Sequence, residues 1–156
     1  VIKAGKFIDS NYNNSPLLIV SILKGSFMFL SDLCKAISIP CEIDFMAAKS
    51  YFDDTKSSGN VEVTLNLHHE ISQYHLLIVE DIIDTGRTLN EIVNLLNEKK
   101  PLSLKIMTLL DKPSRREIDL KADYSLFTIP DYFVVGYGLD YAEYYRNLPY
   151  IAEFKE

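Results

Sequence analysis

An α/β fold with a central, mostly parallel sheet flanked by helices is what the sequence predicts, and three observations predict it. Two short continuous apolar runs, Leu17–Leu23 and residues 76–79, read as strands buried on both faces. Each is followed by a stretch whose apolar residues recur at helical spacing. Strand, helix and strand in succession close into a parallel sheet with helices packed on it.

The elements follow in order. The first run ends at Lys24-Gly25, and residues 26–38 then place Phe27, Leu30, Leu33 and Ile37 on one side, with Pro40 beyond as a stop. Residues 42–49 read as a strand. Residues 50–60 are polar and rich in Gly, Ser and Asp, and are expected to form a mobile loop. Residues 61–67 alternate apolar and polar, as a half-exposed strand does. The second run ends in Glu80-Asp81. Residues 89–100 repeat Leu89, Ile92, Val93 and Leu96 at helical spacing, and Thr88 with Glu91 has the pattern of a capping box. Pro101 stops that helix, and residues 103–110 make a further strand. From about 111 the texture changes to loops, a strand at 133–135, and six of the ten tyrosines within 132–150. This reads as a small subdomain, formed largely by about 111–156 with the N-terminal segment as a candidate contributor, inside one domain spanning 1–156.

Composition narrows the function classes. The 156 residues, 47% hydrophobic and 24% charged, are the mixture of a globular domain. A chain this long buries roughly two-thirds of its unfolded surface without a metal or disulfide staple. No apolar run approaches the ~20 residues that span a bilayer. The chain opens at Val1, so N-terminal sequence is expected to be missing. Cys34 and Cys41 make neither a disulfide framework nor a zinc motif, and are expected to be buried reduced thiols in a cytoplasmic protein. His68, His69 and His75 lack a third ligand at metal spacing and read as solvated or packing residues. The net charge is -6, and the basic pairs Lys99-Lys100 and Arg115-Arg116 are short and isolated. That argues against a nucleic-acid partner, although a local site of N–H groups, a few cations and a metal can still hold a small polyanion.

The chemistry lies in residues 77–89, LIVEDIIDTGRTL. A buried strand delivers two acids to its carboxyl end, where ligands of open α/β sheets bind. A tight turn then leads into a helix N-terminus, whose free N–H groups and positive dipole end favour phosphate. Thr85 and Thr88 add hydroxyl donors, and Gly86 lets the backbone approach closely. Phosphate is therefore expected over residues 84–88. Glu80 and Asp81 repel phosphate but suit sugar hydroxyls or a divalent cation, and the combination points to a phosphorylated sugar. Gly136 and Gly138 do not form a dinucleotide fingerprint, because no third glycine follows and no helix opens there.

This string resembles the phosphoribosyl pyrophosphate (PRPP) signature of the type I phosphoribosyltransferases, in the form of their hypoxanthine-guanine branch. Three further stretches support the resemblance: Leu23-Lys24-Gly25, similar to the pyrophosphate loop but followed by Ser26 where Gly is common; Ser50-Tyr51 with Ser57-Ser58-Gly59, similar to the catalytic flap; and Asp111-Lys112-Pro113 with residues 131–141, DYFVVGYGLDY, similar to the base-binding hood. Together they cover about residues 17–153. The resemblance implies the type I phosphoribosyltransferase fold with a small hood, and Mg²⁺-dependent transfer to a 6-oxopurine, hypoxanthine or guanine, through an oxocarbenium-like ribose. It implies that Glu80 and Asp81 hold the ribose hydroxyls and Mg²⁺, joined by Asp140 near the base and a second metal. Asp84 would be the general base or acid at purine N7. Thr85, Gly86, Arg87 and Thr88 would bind the 5′-phosphate; Lys24, Gly25 and Arg146 would meet pyrophosphate; Ser50 and Tyr51 would belong to the flap. Lys112, Phe133, Val134 and Asp140 would surround the purine. The flap's Phe52-Asp53-Asp54 is more acidic than a phosphate-facing loop requires. A homodimer or homotetramer is implied, with the tyrosine-rich C-terminal region in hood packing or subunit contact. Two alternatives stay open: a regulatory RNA-binding protein on the same fold, and a transferase preferring xanthine.

Overall fold

The computed structural model describes residues 1–51 and 60–156. The elements run α1 (Ile2–Tyr12), β1 (Leu17–Leu23), α2 (Phe27–Ala36), β2 (Glu42–Tyr51), β3 (Asn60–Leu65), β4 (His75–Ile83), α3 (Arg87–Glu98), β5 (Ser103–Asp111), β6 (Tyr124–Thr128), β7 (Val134–Val135) and β8 (Ala152–Glu153). Six strands form one sheet in the order β3-β2-β1-β4-β5-β6, and β7 pairs with β8 in a separate antiparallel pair. All neighbours in the large sheet are parallel except β2 and β3. The expected mostly parallel α/β sheet is therefore present.

The apolar runs are continuous because both faces of the sheet are covered. Leu17, Ile19, Leu77 and Val79 point to one side, where Ala4 and Ile8 of α1 and Phe29, Leu30 and Leu33 of α2 pack. Leu18, Val20, Leu76 and Ile78 point to the other, against Leu89, Ile92 and Leu96 of α3. The alternation is that of strands whose side chains project to opposite faces. Among the described residues no helix is long and apolar enough to cross a membrane.

Several local expectations need correction. In α2 Phe27 is substantially exposed and Phe29 occupies the core instead, because the buried stripe is offset from the one starting at Phe27. The capping box at Thr88 does not form. Helix α3 begins at Arg87 with Gly86 as its N-cap in the left-handed region (φ 83°), and no side chain caps it; glycine adopts that conformation without a Cβ penalty. Glu80 and Asp81 do not end their strand, since pairing continues to Ile83↔Asp111. Cys34 and Cys41 are free but only half-buried. Helix α1 and strand β6 carried no clear sequence signal. Ser50, Tyr51 and Asn60, expected in the mobile loop of 50–60, lie in β2 and β3; the rest of that loop, 52–59, with Phe52-Asp53-Asp54 and Ser57-Ser58-Gly59, lies outside the described residues.

The strand order places the chemistry. The chain leaves β1 towards β2 on one side, while β4 flanks β1 on the other and leads on to β5. Connections diverge at this switch point and leave a crevice beyond the carboxyl ends of β1 and β4.

Candidate active site

The crevice is a cleft of about 370 Å³. Lys24 and Gly25 line it from the end of β1, Glu80 and Asp81 from β4, Asp84, Thr85, Gly86 and Thr88 from the β4–α3 turn, and Asp140 and Arg146 from the C-terminal region. Residues from three separate stretches of sequence thus line one cleft. Ser50, Tyr51, Arg87, Lys112, Phe133 and Val134 are not among its lining residues.

The loop after β1 lies directly on the acidic pair. A Cβ at Gly25 would stand 1.7 Å from Asp81 Oδ2, so any side chain there would push the loop off β4. From the opposite side Gly138 packs equally close, its would-be Cβ 2.1 Å from Gly25 O. The Leu23–Lys24 peptide is cis. Ser26, the departure from the resembled pattern, is fully buried. Its hydroxyl bonds Ile22 O at 2.5 Å and Ser21 Oγ at 2.6 Å, tying the loop to its own strand.

Burial pushes the Glu80 carboxyl well above its ordinary range, and the adjacent Asp81 charge adds to the shift. Burial also raises Asp81, against the opposing pull of the Ile82 N–H and the nearby Arg146 charge. Two desolvated carboxylates side by side resist ionising together, and a cation or a set of hydroxyl donors would relieve both.

Arg146 supplies the positive side. Its Nη1 donates to Gly138 O at 2.8 Å, and its Nη2 lies 3.3 Å from both Asp140 Oδ1 and Glu143 Oε1. Its Nε is buried without a hydrogen-bond partner among the described residues. An orphaned buried donor on a cation is what an anion would satisfy. Glu143, which sequence reasoning passed over, also meets Lys24 Nζ at 3.1 Å. Those two cations hold its carboxyl below the usual range.

At the β4–α3 turn, Thr88 hydrogen-bonds Ser50 through their hydroxyls, tying the end of β2 to α3. Arg87 pairs with Glu117. Asp84 Oδ1 lies 3.3 Å from Arg115 Nε. Lys112 is 5% exposed, with its ammonium 3.8 Å from Asp131 Oδ1. Phe133 stands half-exposed, edge-on to Tyr141 (5.9 Å) and Phe154 (6.0 Å). Arg115, Arg116 and Glu117 were also missed, the Arg115-Arg116 pair being legible only as an isolated basic doublet; Asp131 was read only as the start of the 131–141 string.

The donor chemistry of Glu80 and Asp81 is that of a hard-cation site, all oxygen and anionic, and fits Mg²⁺. Among the described residues no group of three or more acidic, His or Cys side chains is gathered for a metal. Asp140 is instead engaged by Arg146 and by the Glu143 N–H at 2.8 Å. A cation here would draw most of its ligands from substrate and water, as Mg²⁺ commonly does.

Known proteins resemble this chain over nearly its whole length. The chain is 51% identical to a hypoxanthine-guanine phosphoribosyltransferase of Staphylococcus aureus, over 97% of this chain and 84% of that one. It is 45% identical to a hypoxanthine phosphoribosyltransferase of Salmonella typhimurium, over 98% and 87%. A crystal structure of a hypoxanthine phosphoribosyltransferase from Staphylococcus aureus superposes with a TM-score of 0.94 at 50% identity, covering 98% of this chain and 83% of that one. Residues 1–142 match the family described as "Phosphoribosyl transferase domain". With the acidic pair, the glycine-capped helix and the Lys24-Gly25 loop meeting at the switch point, the chain belongs to the phosphoribosyltransferase family.

Proposed function

We propose that the protein transfers the ribose 5-phosphate of PRPP to a 6-oxopurine, hypoxanthine or guanine, forming the nucleoside monophosphate and releasing pyrophosphate. The observation that carries this reading is the single cleft in which paired carboxylates adjoin both a helix N-terminus and a lysine-glycine loop. A sugar bearing a phosphate at one end and a pyrophosphate at the other matches these features, with its hydroxyls at the carboxylates between the helix N-terminus and the lysine-glycine loop. The names of the relatives support the purine assignment.

Thr85, Gly86, Arg87 and Thr88 receive the 5′-phosphate through backbone N–H groups, hydroxyls and one cation. Glu80 and Asp81 accept hydrogen bonds from the ribose hydroxyls. Lys24, Gly25 and Arg146 meet the pyrophosphate, with Arg146 Nε the donor left without a partner among the described residues. Mg²⁺ held by Glu80 and Asp81, with Asp140 nearby, would neutralise charge on the departing pyrophosphate. Departure leaves an oxocarbenium-like ribose, so water must be kept out; Ser50 and Tyr51 end the strand that leads to residues 52–59. Asp84 takes the N7 proton from the incoming base and returns it in the reverse direction. Phe133 stacks on the purine, Val134 offers backbone groups to its edge, and the buried Lys112 ammonium donates to the 6-oxygen. The enzyme would act in the cytoplasm as a homodimer or homotetramer.

Turnover with PRPP, Mg²⁺ and each of hypoxanthine, guanine, xanthine and adenine tests the assignment. The 6-oxopurines should be consumed, and adenine disfavoured by about tenfold or more, because a buried donor left unmatched costs about 1–3 kcal/mol. Asp84→Asn should lower kcat by about 10²–10⁴-fold while nucleotide binding survives. Absence of turnover with every base would overturn the proposal.

A further inference from the structure

The 112–117 segment, which follows β5, lies along the β4–α3 turn and bonds to it residue by residue. The Lys112 N–H donates to Ile83 O at 3.0 Å, Arg116 Nε donates to Asp84 O at 3.2 Å, and the Glu117 N–H donates to Thr85 O at 3.0 Å. Three consecutive carbonyls, from the last residue of β4 into the turn, are therefore held from one side. In a planar trans peptide the N–H points opposite to the C=O of the same unit, and none of these three peptides is cis. Holding the carbonyls of residues 83–85 turns the N–H groups of Asp84, Thr85 and Gly86 away from the segment.

Arg116 is the pivot of this contact. Its other nitrogens donate to Leu120 O and to Asp111 Oδ1, and its side chain is only 14% exposed. A Cβ on Gly86 would stand 3.1 Å from Arg116 Cδ, so the arginine stem packs against the helix cap itself. With its nitrogens spread over Asp84, Asp111 and Leu120, this guanidinium is committed to the protein. The preceding residue, Arg115, reaches the Asp84 carboxylate at 3.3 Å and Asp131 at 3.7 Å. Asp131 in turn stands 3.8 Å from Lys112 Nζ.

We infer that the 112–117 segment is a brace that aims the phosphate-binding N–H groups, with Arg116 as a positioning residue for the 5′-phosphate. The inference rests on the transferase reading, which puts phosphate at that turn. It also places Lys112 and the phosphate turn on one rigid unit, so the base and the 5′-end are gripped at a fixed separation.

The test is calorimetric titration of inosine and inosine 5′-monophosphate into the wild-type protein, Arg116→Met and Arg116→Lys. Loss of a charged hydrogen bond that orients the turn should weaken the monophosphate about tenfold or more in Arg116→Met, with inosine unchanged. Arg116→Lys, which keeps the charge but cannot reach all three acceptors, should fall between, and it carries the test if Arg116→Met does not fold. Equal weakening of both ligands, or an unchanged ratio of the two affinities in either variant, overturns the brace. If the wild-type protein binds inosine and its monophosphate equally, the turn is not a phosphate site. The transferase reading then falls, and the brace with it.

Discussion

Glu80 is an acid held where its charge is least welcome. Burial and the neighbouring Asp81 both favour its neutral form, so the free protein carries a destabilising group at its site, a common consequence of building for a ligand. Glu80→Gln should therefore raise the melting temperature of the free protein by roughly 2–4 °C, about 1 kcal/mol of stability, while lowering turnover. Thermal melts of the two proteins without ligand check this, and a lower melting temperature for the variant would contradict it. The acidic pair itself was legible in the sequence, as two charges ending an apolar run. Its partner Gly25 was legible only as a member of a short loop. That Gly25 must lie against Asp81, more than fifty residues away, is visible only once β1 and β4 are neighbours.

At the scale of elements, the pair β2–β3 carries Ser50 and Tyr51 at one end and an ionic clasp at the other. His69 Nδ1 meets Asp44 Oδ2 and Nε2 meets Glu42 Oε2, both at 2.7 Å. The Tyr74 hydroxyl reaches the same Glu42 at 3.0 Å, and the His68 N–H donates to Asp44. This corrects the reading of His69 as a merely solvated or packing residue. The Asp44 bond raises the His69 pKa; burial opposes that shift and Glu42 adds to it. Burial alone would push Asp44 up, but hydrogen bonds from His69 and two backbone N–H groups hold it below its ordinary value. A raised histidine stabilises the fold fully below its unfolded value of 6.5 and ceases to do so as pH climbs through the raised value. His69→Gln should therefore cost roughly 1 kcal/mol near pH 6, with the cost shrinking at high pH. Denaturant melts near pH 6 and at high pH read this directly, and a pH-independent cost would refute it. Helix α1 makes a second case. Ile8 is fully buried against the sheet, so Ile8→Ala should cost about 2–5 kcal/mol, measured in the same way. No signal announced α1, because its 11 residues include Gly5 and no side-chain cap starts it. Gly5 is there because α2 passes so close that a Cβ would stand 2.3 Å from Ala36 O.

Over the whole molecule, the acidic balance of -6 and the absence of a basic stripe in the sequence oppose a polyanionic macromolecular partner. Both arginines of the 112–117 segment are engaged within the protein's own structure, the partly buried Arg116 by Asp84, Asp111 and Leu120, and the half-exposed Arg115 by Asp84 and Asp131. Filter binding should accordingly find no tight, salt-dependent RNA affinity; finding it without catalysis would favour a regulatory role for the fold. The C-terminal region leaves Tyr132, Tyr144, Tyr145 and Tyr150 exposed, and contact between copies is our proposal for them. Sedimentation should give a dimer or tetramer, and a fully active monomer would remove that expectation.

By itself the sequence determined strands β1 to β5, the helices α2 and α3, and the turn of residues 84–88, because each is written in a local pattern: apolar runs, alternation, helical periodicity, a glycine in a short turn. Only the tertiary structure decided that Gly25 lies on Asp81, that Arg146 lines the same cleft with a donor left without a partner among the described residues, and that the 112–117 segment grips the β4–α3 turn. These contacts join residues tens of positions apart through backbone carbonyls and single close approaches, which leave no periodicity in the chain. They exist because the sheet order sets β1 beside β4 and β4 beside β5, bringing the carboxyl ends of all three strands to one edge.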